Sequence, residues 1–82
     1  MDRILIELYI PAVGQVYDVF IPLSSKTHEV LFLISETVKD LTDGRYLPTQ
    51  DTALCSDNGK ILNINMSISE HGLKNGSKLM LI

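Results

Sequence analysis

The feature that most constrains this chain is one stretch with helical spacing of apolar residues, THEVLFLISETVKDL at positions 27–41. Its shared face is formed by Val30, Ile34, Val38 and Leu41, and is widened by Leu31 and Leu33. Apolar side chains that recur every three to four residues indicate an amphipathic helix, and no Gly or Pro interrupts this one. Such a helix must bury its apolar face, and the flanking segments have the pattern of short strands. We therefore predict a small α+β fold.

Length and composition limit the classes of protein that this chain can represent. Its 82 residues predict a single domain over positions 1–82, and its 45% hydrophobic content is typical of a globular fold. The net charge of -3 and the scattered basic residues argue against a nucleic-acid surface. The N-terminal residues alternate, without the apolar run of a signal peptide or membrane span. With Cys55 as its one cysteine, the sequence predicts a cytoplasmic protein without direct membrane insertion.

Strand patterns and turn signals surround the helix. Apolar alternation predicts strands at positions 4–10, 16–21, 52–56, 60–62 and 78–82. The turns are provided by Pro11 and Gly14, by Asp57-Asn58-Gly59, and by Asn75-Gly76. The order is hairpin, helix, hairpin, loop, strand. This order predicts a β-grasp, with a mixed four- to five-stranded sheet packed on one helix. Its closing strand should lie between the first and third strands, parallel to the first.

Few residues in the sequence point to catalysis or metal binding. A nucleophile needs a base and a group that orients it, and Cys55 is the one thiol. A Cys55–His71 pair is compatible with the sequence, but a small apolar packing role is commoner for cysteine in a strand. The sequence has no metal-ligand spacing, and its glycines are too dispersed for a phosphate loop. We predict that the protein is not an enzyme and uses no cofactor.

The pattern from Ile4 to Ile82 resembles ubiquitin in element order, spacing and length. The matching segments are ILIEL, YDVFIP, the helix, LCSDNGKIL and HGLKNGSKLMLI. The chain resembles more closely the YukD-type family of small bacterial ubiquitin-like proteins. That closer resemblance lies in Tyr17-Asp18-Val19 and in the stretch from Gly72 to Gly76 that precedes the closing strand.

This resemblance implies a function and a setting. YukD-type proteins are encoded with type VII (WXG100, ESX-like) secretion systems, mainly in Gram-positive bacteria, and act there as cytosolic accessory components. Related domains contact the cytosolic region of an FtsK/SpoIIIE-type secretion ATPase. The resemblance therefore implies a non-covalent protein-binding module of the secretion machinery, with that ATPase or another component as its partner. Such a module would be cytoplasmic and recruited to the inner face of the membrane by its partners.

The sequence departs from ubiquitin at its C-terminus. Ubiquitin ends in a flexible tail with two glycines, whereas Ile82 here closes a predicted strand. We therefore expect neither covalent conjugation nor a sulfur-carrier role, which would use the same tail. A ubiquitin-like regulatory adaptor unrelated to secretion is the other alternative. A genomic neighbour encoding a WXG100 protein or an FtsK-like ATPase would separate it from a secretion component.

Strand alternation predicts a protein-binding surface on the sheet face opposite the helix. The apolar residues assigned to this face are Leu5, Phe20, Cys55, Met80 and Ile82. By resemblance, Cys55, Met80 and Ile82 occupy the positions of ubiquitin's hydrophobic recognition patch. A contiguous exposed apolar area on a small domain usually marks an interface, with a partner or with a second copy in a homodimer. The helix flank around Phe32 is the alternative surface.

Overall fold

The structure is a computed structural model that describes residues 2–82. Its elements are β1 (Arg3–Ile10), β2 (Gln15–Pro22), α1 (Thr27–Leu41), β3 (Leu54–Ser56), a short 3-10 helix (Ile68–His71) and β4 (Lys78–Leu81). The strands form one sheet in the order β2-β1-β4-β3. β1 pairs parallel with β4, and the pairs β1–β2 and β3–β4 are antiparallel. The predicted β-grasp with a central closing strand is confirmed.

The core lies between the sheet and α1. Alternate residues of β1 turn toward the helix and are buried, and β4 contributes in the same way. The buried apolar residues of these elements are Ile4, Ile6, Leu8, Ile10, Val30, Ile34, Val38, Leu79 and Leu81. Because successive side chains of a strand point to opposite faces, the period of two selects the members from β1 and β4. The spacing of four residues selects Val30, Ile34 and Val38 on α1.

The predicted apolar face of α1 is too wide. Val30, Ile34 and Val38 are buried, but Leu33 and Leu41 are 60% and 55% exposed. Leu33 and Leu41 are eight residues apart and therefore share a second row of the helix, beside the buried one. That row lies over β2, which is an edge strand, so no further strand of the described part of the chain covers it.

The start of α1 is held by the segment that precedes the 3-10 helix. The first amide groups of an α-helix have no partner within the helix itself. Here Thr27 N–H donates to Met66 O at 2.8 Å, and His28 N–H donates to Ile64 O at 3.1 Å. Glu29 Oε1 accepts from Lys26 N–H at 3.0 Å. The long connection between β3 and β4 is therefore fixed in place by satisfying the helix start.

The predicted strand at 60–62 is reduced to one bridge, between Ile61 and Cys55, and the sheet has four strands. The turn after β3 does bring the chain back, since Ser56 N–H donates to Lys60 O and Leu62 N–H donates to Leu54 O. The next residues then leave the sheet because their carbonyl groups bind the start of α1.

Within residues 2–82, no helix has the length and apolar character needed to cross a membrane.

Candidate functional site

The outer face of the sheet, opposite α1, carries an apolar row that crosses every strand. The register places Val16, Tyr9, Met80, Cys55 and Ile61 side by side in that order. Val16, Tyr9 and Ile61 are exposed, and Met80 is half-buried. Ile82 lies two residues beyond Met80 and is also exposed. We call the accessible residues the outer-face patch: Tyr9, Val16, Ile61, Met80 and Ile82.

A row of charged side chains bounds this patch. Asp18 lies opposite Glu7 across β1 and β2, and Glu7 lies opposite Lys78 across β1 and β4. The Nζ of Lys78 is 3.9 Å from Oε2 of Glu7. Leu5 and Phe20, a directly opposed pair, lie on the other side of this row. The predicted surface is therefore not contiguous, because the charges separate Leu5 and Phe20 from Met80 and Ile82.

The prediction that Cys55 contributes to an exposed surface is wrong. Cys55 does lie on the outer face, but its side chain is only 2% exposed. Its directly opposed neighbours are Met80 on one side and Ile61 on the other. A short thiol between two longer side chains on neighbouring strands is shielded from solvent. Cys55 therefore packs within the row rather than offering a contact.

Sequence reasoning missed Tyr9, Val16 and Ile61 as members of the patch. Alternation places each of them on a face, but it does not say which residues of neighbouring strands lie side by side. For Tyr9 and Val16 the missing information is the register of the first hairpin, in which Ile10 opposes Gln15. Tyr9 and Val16 form the next opposed pair of the hairpin, so the position of the turn would have been enough to place them side by side.

The helix flank offers a second exposed apolar area. Phe32 is 64% exposed and lines a shallow depression with His28, Glu29 and Leu33. The prediction that this ring is difficult to bury with the main helix face is confirmed. The depression is open and includes an acidic side chain, so it surrounds only part of the ring.

A deeper groove separates α1 from β2. It has a volume of about 310 Å³ and no side chain that is charged at neutral pH. We call it the edge-strand groove, and it is lined by Tyr17, Val19, Phe20, Ile21, Pro22, Val30, Leu33, Ile34, Thr37, Val38 and Leu41. The exposed helix row of Leu33 and Leu41 forms one wall. The sequence contained the helix signal for this wall, but it did not show that the sheet ends beside it.

His71 has a structural partner. Thr27 Oγ1 donates to Met66 O at 2.7 Å and lies 2.8 Å from Nε2 of His71. The hydroxyl proton is used by Met66, so the imidazole Nε2–H must donate to Thr27 Oγ1. Thr27 itself is fully buried. The contacts of His71 and Cys55 thus belong to the fold, and residues 2–82 contain no cluster of metal-ligand side chains.

Glu70 closes the start of the 3-10 helix. Its Oε1 accepts from the backbone N–H of Ser67 at 2.8 Å and from Ser67 Oγ at 2.9 Å. The backbone hydrogen bond, followed by the hydroxyl bond, lowers the pKa of the Glu70 carboxyl from its ordinary value. The ionised carboxylate is the better acceptor, so folding favours it.

We expect Glu70→Gln to destabilise the protein at neutral pH, since the amide oxygen is a weaker acceptor than a carboxylate. A carboxyl whose pKa is lowered on folding stabilises the native state above its unfolded pKa. That contribution is lost as the pH falls through the folded pKa. Urea denaturation at several pH values should therefore show a difference from wild type that shrinks on acidification. Glu36→Gln, which removes an exposed carboxylate from α1, is the matched control. A difference independent of pH would contradict the assignment.

No protein-family model and no curated protein sequence matches the chain. Solved structures do match it. The ubiquitin-like domain of EccD5 from Mycobacterium xenopi gives a TM-score of 0.84 at 15% identity, over 100% of this chain and 94% of that domain. A chain of the MycP5-free ESX-5 inner membrane complex gives 0.83 at 16% identity, and this protein spans 21% of its length. The ubiquitin-like domain of Plasmodium falciparum Dsk2 gives 0.74 at 19% identity, covering 96% of this chain and 95% of that chain.

These matches define the class of fold. The chain has the ubiquitin-like β-grasp, in which a mixed four-stranded sheet packs on one helix. The same fold occurs in a domain of EccD5, in a membrane complex and in Dsk2. At these identities the likeness establishes the fold alone.

Proposed function

We propose that this protein is a non-covalent protein-binding module of a type VII (WXG100, ESX-like) secretion system, of the YukD type. It acts as a cytoplasmic accessory component, held at the inner face of the membrane by its partners. The partner is the cytosolic region of an FtsK/SpoIIIE-type secretion ATPase or another component of the machinery. The outer-face patch, centred on Met80, is the contact surface.

The observation that carries this proposal is the end-to-end likeness to the EccD5 domain, with a TM-score of 0.84 over 100% of this chain. The match within the ESX-5 inner membrane complex supports a place beside membrane components. The outer-face patch supports a binding role because neighbouring exposed apolar side chains on a small domain usually mark an interface. Its central residue, Met80, has an adaptable side chain that suits a contact surface.

A regulatory adaptor unrelated to secretion is the second candidate. The likeness to the ubiquitin-like domain of Dsk2, at a TM-score of 0.74, favours it because the same fold serves a protein outside that setting. In this case the outer-face patch would bind a partner without any link to a secretion ATPase. The two candidates share the surface and differ in what it binds.

The test is to cross-link the tagged protein in the cells where it is native and identify partners in the membrane fraction by mass spectrometry. The secretion proposal predicts an FtsK/SpoIIIE-type ATPase or a component encoded beside it. Cells that lack that ATPase gene are the control, and membrane recovery of the tagged protein should fall in them. Capture of other partners alone, with unchanged membrane recovery in the deletion strain, would favour the adaptor.

A further inference from the structure

The outer edge of β2 is open. The sheet order places β2 and β3 at its two edges. The edge of β3 is partly occupied, because the chain returns along it and Ile61 bridges to Cys55. Within residues 2–82, no bridge reaches the outer side of β2. An unpaired edge presents backbone donors and acceptors that can pair with another strand.

The register identifies the groups at this edge. Opposed residues of an antiparallel pair alternate between those that exchange hydrogen bonds and those that do not. Leu23 N–H donates to Asp2 O, so the bonded pairs of this ladder include Ile4–Ile21 and Ile6–Val19. Consistently, Glu7 N–H turns the other way and donates to Ser77 O, on the β4 side. The backbone groups that point away from β1 are therefore those of Val16, Asp18 and Phe20.

The edge-strand groove lies beside these groups. A strand added to β2 would place alternate side chains on the helix side of the extended sheet, above the groove. There they would meet Leu33, Thr37 and Leu41 of α1 and Val19 of β2, a surface without charge. Apolar side chains would gain the most from this burial. The remaining side chains of the added strand would face the same way as Asp18.

The charges on the outer face of the sheet, where Asp18 lies, also limit which strand can bind beside β2. The row of charged side chains on the outer face of the sheet consists of Lys78, Glu7 and Asp18, in that order. The single ion pair among residues 2–82 joins Lys78 to Glu7. Asp18 thus has a carboxylate as its neighbour on β1, and no strand among residues 2–82 lies on its other side. A lysine or arginine directly opposite Asp18 would complete an alternating row across the extended sheet.

A second copy of the chain fits this edge poorly. Self-pairing that uses Val16, Asp18 and Phe20 of both copies would set the two Asp18 side chains directly opposite each other. Like charges in that position are destabilising. The net charge of -3 on each copy adds further repulsion.

We propose that the edge-strand groove binds an extended segment of another protein, which adds to β2 as an antiparallel strand. The segment has an apolar–basic–apolar alternation, with the basic residue opposite Asp18 and its two neighbours in the groove. Backbone hydrogen bonds give affinity in this mode, and alternate side chains give specificity. This surface is separate from the outer-face patch, so it stands whether or not that patch binds the secretion machinery.

The probe is the synthetic peptide Ser-Val-Thr-Val-Lys-Val-Thr-Ser, matched to the 8 residues of β2. Titration into the ¹⁵N-labelled protein should shift resonances of β2 and α1 and slow amide exchange at Asp18 and Phe20. Methylation of the backbone nitrogen of the lysine removes the amide donor that faces the backbone of Asp18, and it should abolish binding. N-methylation of the preceding valine alters an amide that points away from β2 and should leave binding intact.

Two adjacent helix positions give a matched pair of variants. Leu33→Asp places a charge in the groove and should weaken peptide binding at least about tenfold. Phe32→Asp changes an equally exposed residue outside the groove and should leave binding unchanged. Wild type should bind the lysine peptide more tightly than the same peptide with glutamate in place of the lysine. Asp18→Lys should reverse this order and favour the glutamate peptide by about fivefold in affinity. Met80→Asp should have no effect on this binding.

Several results would overturn the proposal. One is the absence of binding to the folded protein at about 1 mM peptide, which would mean a dissociation constant too weak for specific recognition. Another is equal binding by the two N-methylated peptides, or binding that survives Leu33→Asp. A third is a concentration-dependent dimer of the protein alone that Leu33→Asp dissociates, since the groove would then hold a second copy.

Discussion

Replacing Ile34 with alanine is expected to lower the free energy of unfolding by about 2–5 kcal/mol. Ile34 lies at the middle of α1, is 7% exposed and belongs to the core cluster that includes Val30, Val38 and the inward face of β1. Truncation removes buried methyl and methylene groups and leaves a cavity that a close-packed core fills only partly. A domain of this size has a total stability of about 5–15 kcal/mol, so the loss is a large share of it.

Urea denaturation followed by circular dichroism measures this effect as a shift in midpoint. Leu33→Ala is the matched control because it makes the same truncation one residue earlier, at a position that is 60% exposed. We expect that control to stay within about 0.5 kcal/mol of wild type, as surface substitutions usually do. A midpoint for Ile34→Ala near that of the control would show that this face of α1 does not carry the core.

Much of the fold was predictable because local patterns and topology agree. The helix begins at Thr27 and ends at Leu41, at the predicted positions, since its apolar period has no breaker inside and Asp43-Gly44 follows. Both of those residues adopt positive φ, 52° for Asp43 and 80° for Gly44, a backbone conformation that stops a helix. The central place of β4 followed from having one helix to cover both hairpins.

The errors have one physical origin, which is that periodicity along an element does not show what lies beside it. Leu33 and Leu41 kept helical spacing, yet the sheet is too narrow on the β2 side to cover them. Cys55 kept strand alternation, yet Met80 and Ile61 flank it and it is buried. Exposure at both places depends on how distant segments are arranged: the strand order decides it for Leu33 and Leu41, and the register decides it for Cys55.

The register also decides the shape of the candidate surface. Sequence alternation correctly placed Met80 and Ile82 on the face opposite Leu79 and Leu81, both of which are buried. It did not show that Glu7 would lie between Asp18 and Lys78 and divide the face. Alternation names the members of a face strand by strand, whereas contiguity is a property of rows that cross the strands.

Met80→Asp is expected to raise the dissociation constant for the secretion ATPase proposed as the partner by about a hundredfold or more. Met80 lies at the centre of the outer-face patch, between Tyr9 on β1 and Cys55 on β3. A carboxylate there would lose its water on association without gaining a counter-charge, at a cost of about 3 kcal/mol or more. Because Met80 is half-buried, we also expect a modest loss of folding stability, so binding must be measured below the unfolding transition.

Ile61→Asp separates binding from folding in this experiment. Ile61 belongs to the same patch and is 61% exposed, so its replacement should weaken binding while leaving thermal unfolding close to wild type. Phe32→Asp on the helix flank is the control that should keep full affinity. The measurements are calorimetric titration with the purified cytosolic region of the ATPase, sedimentation of the protein alone, and thermal unfolding of each variant. If Met80→Asp and Ile61→Asp bind like wild type while Phe32→Asp does not, the contact lies on the helix flank. If Met80→Asp instead dissociates a dimer of the protein, the patch joins two copies.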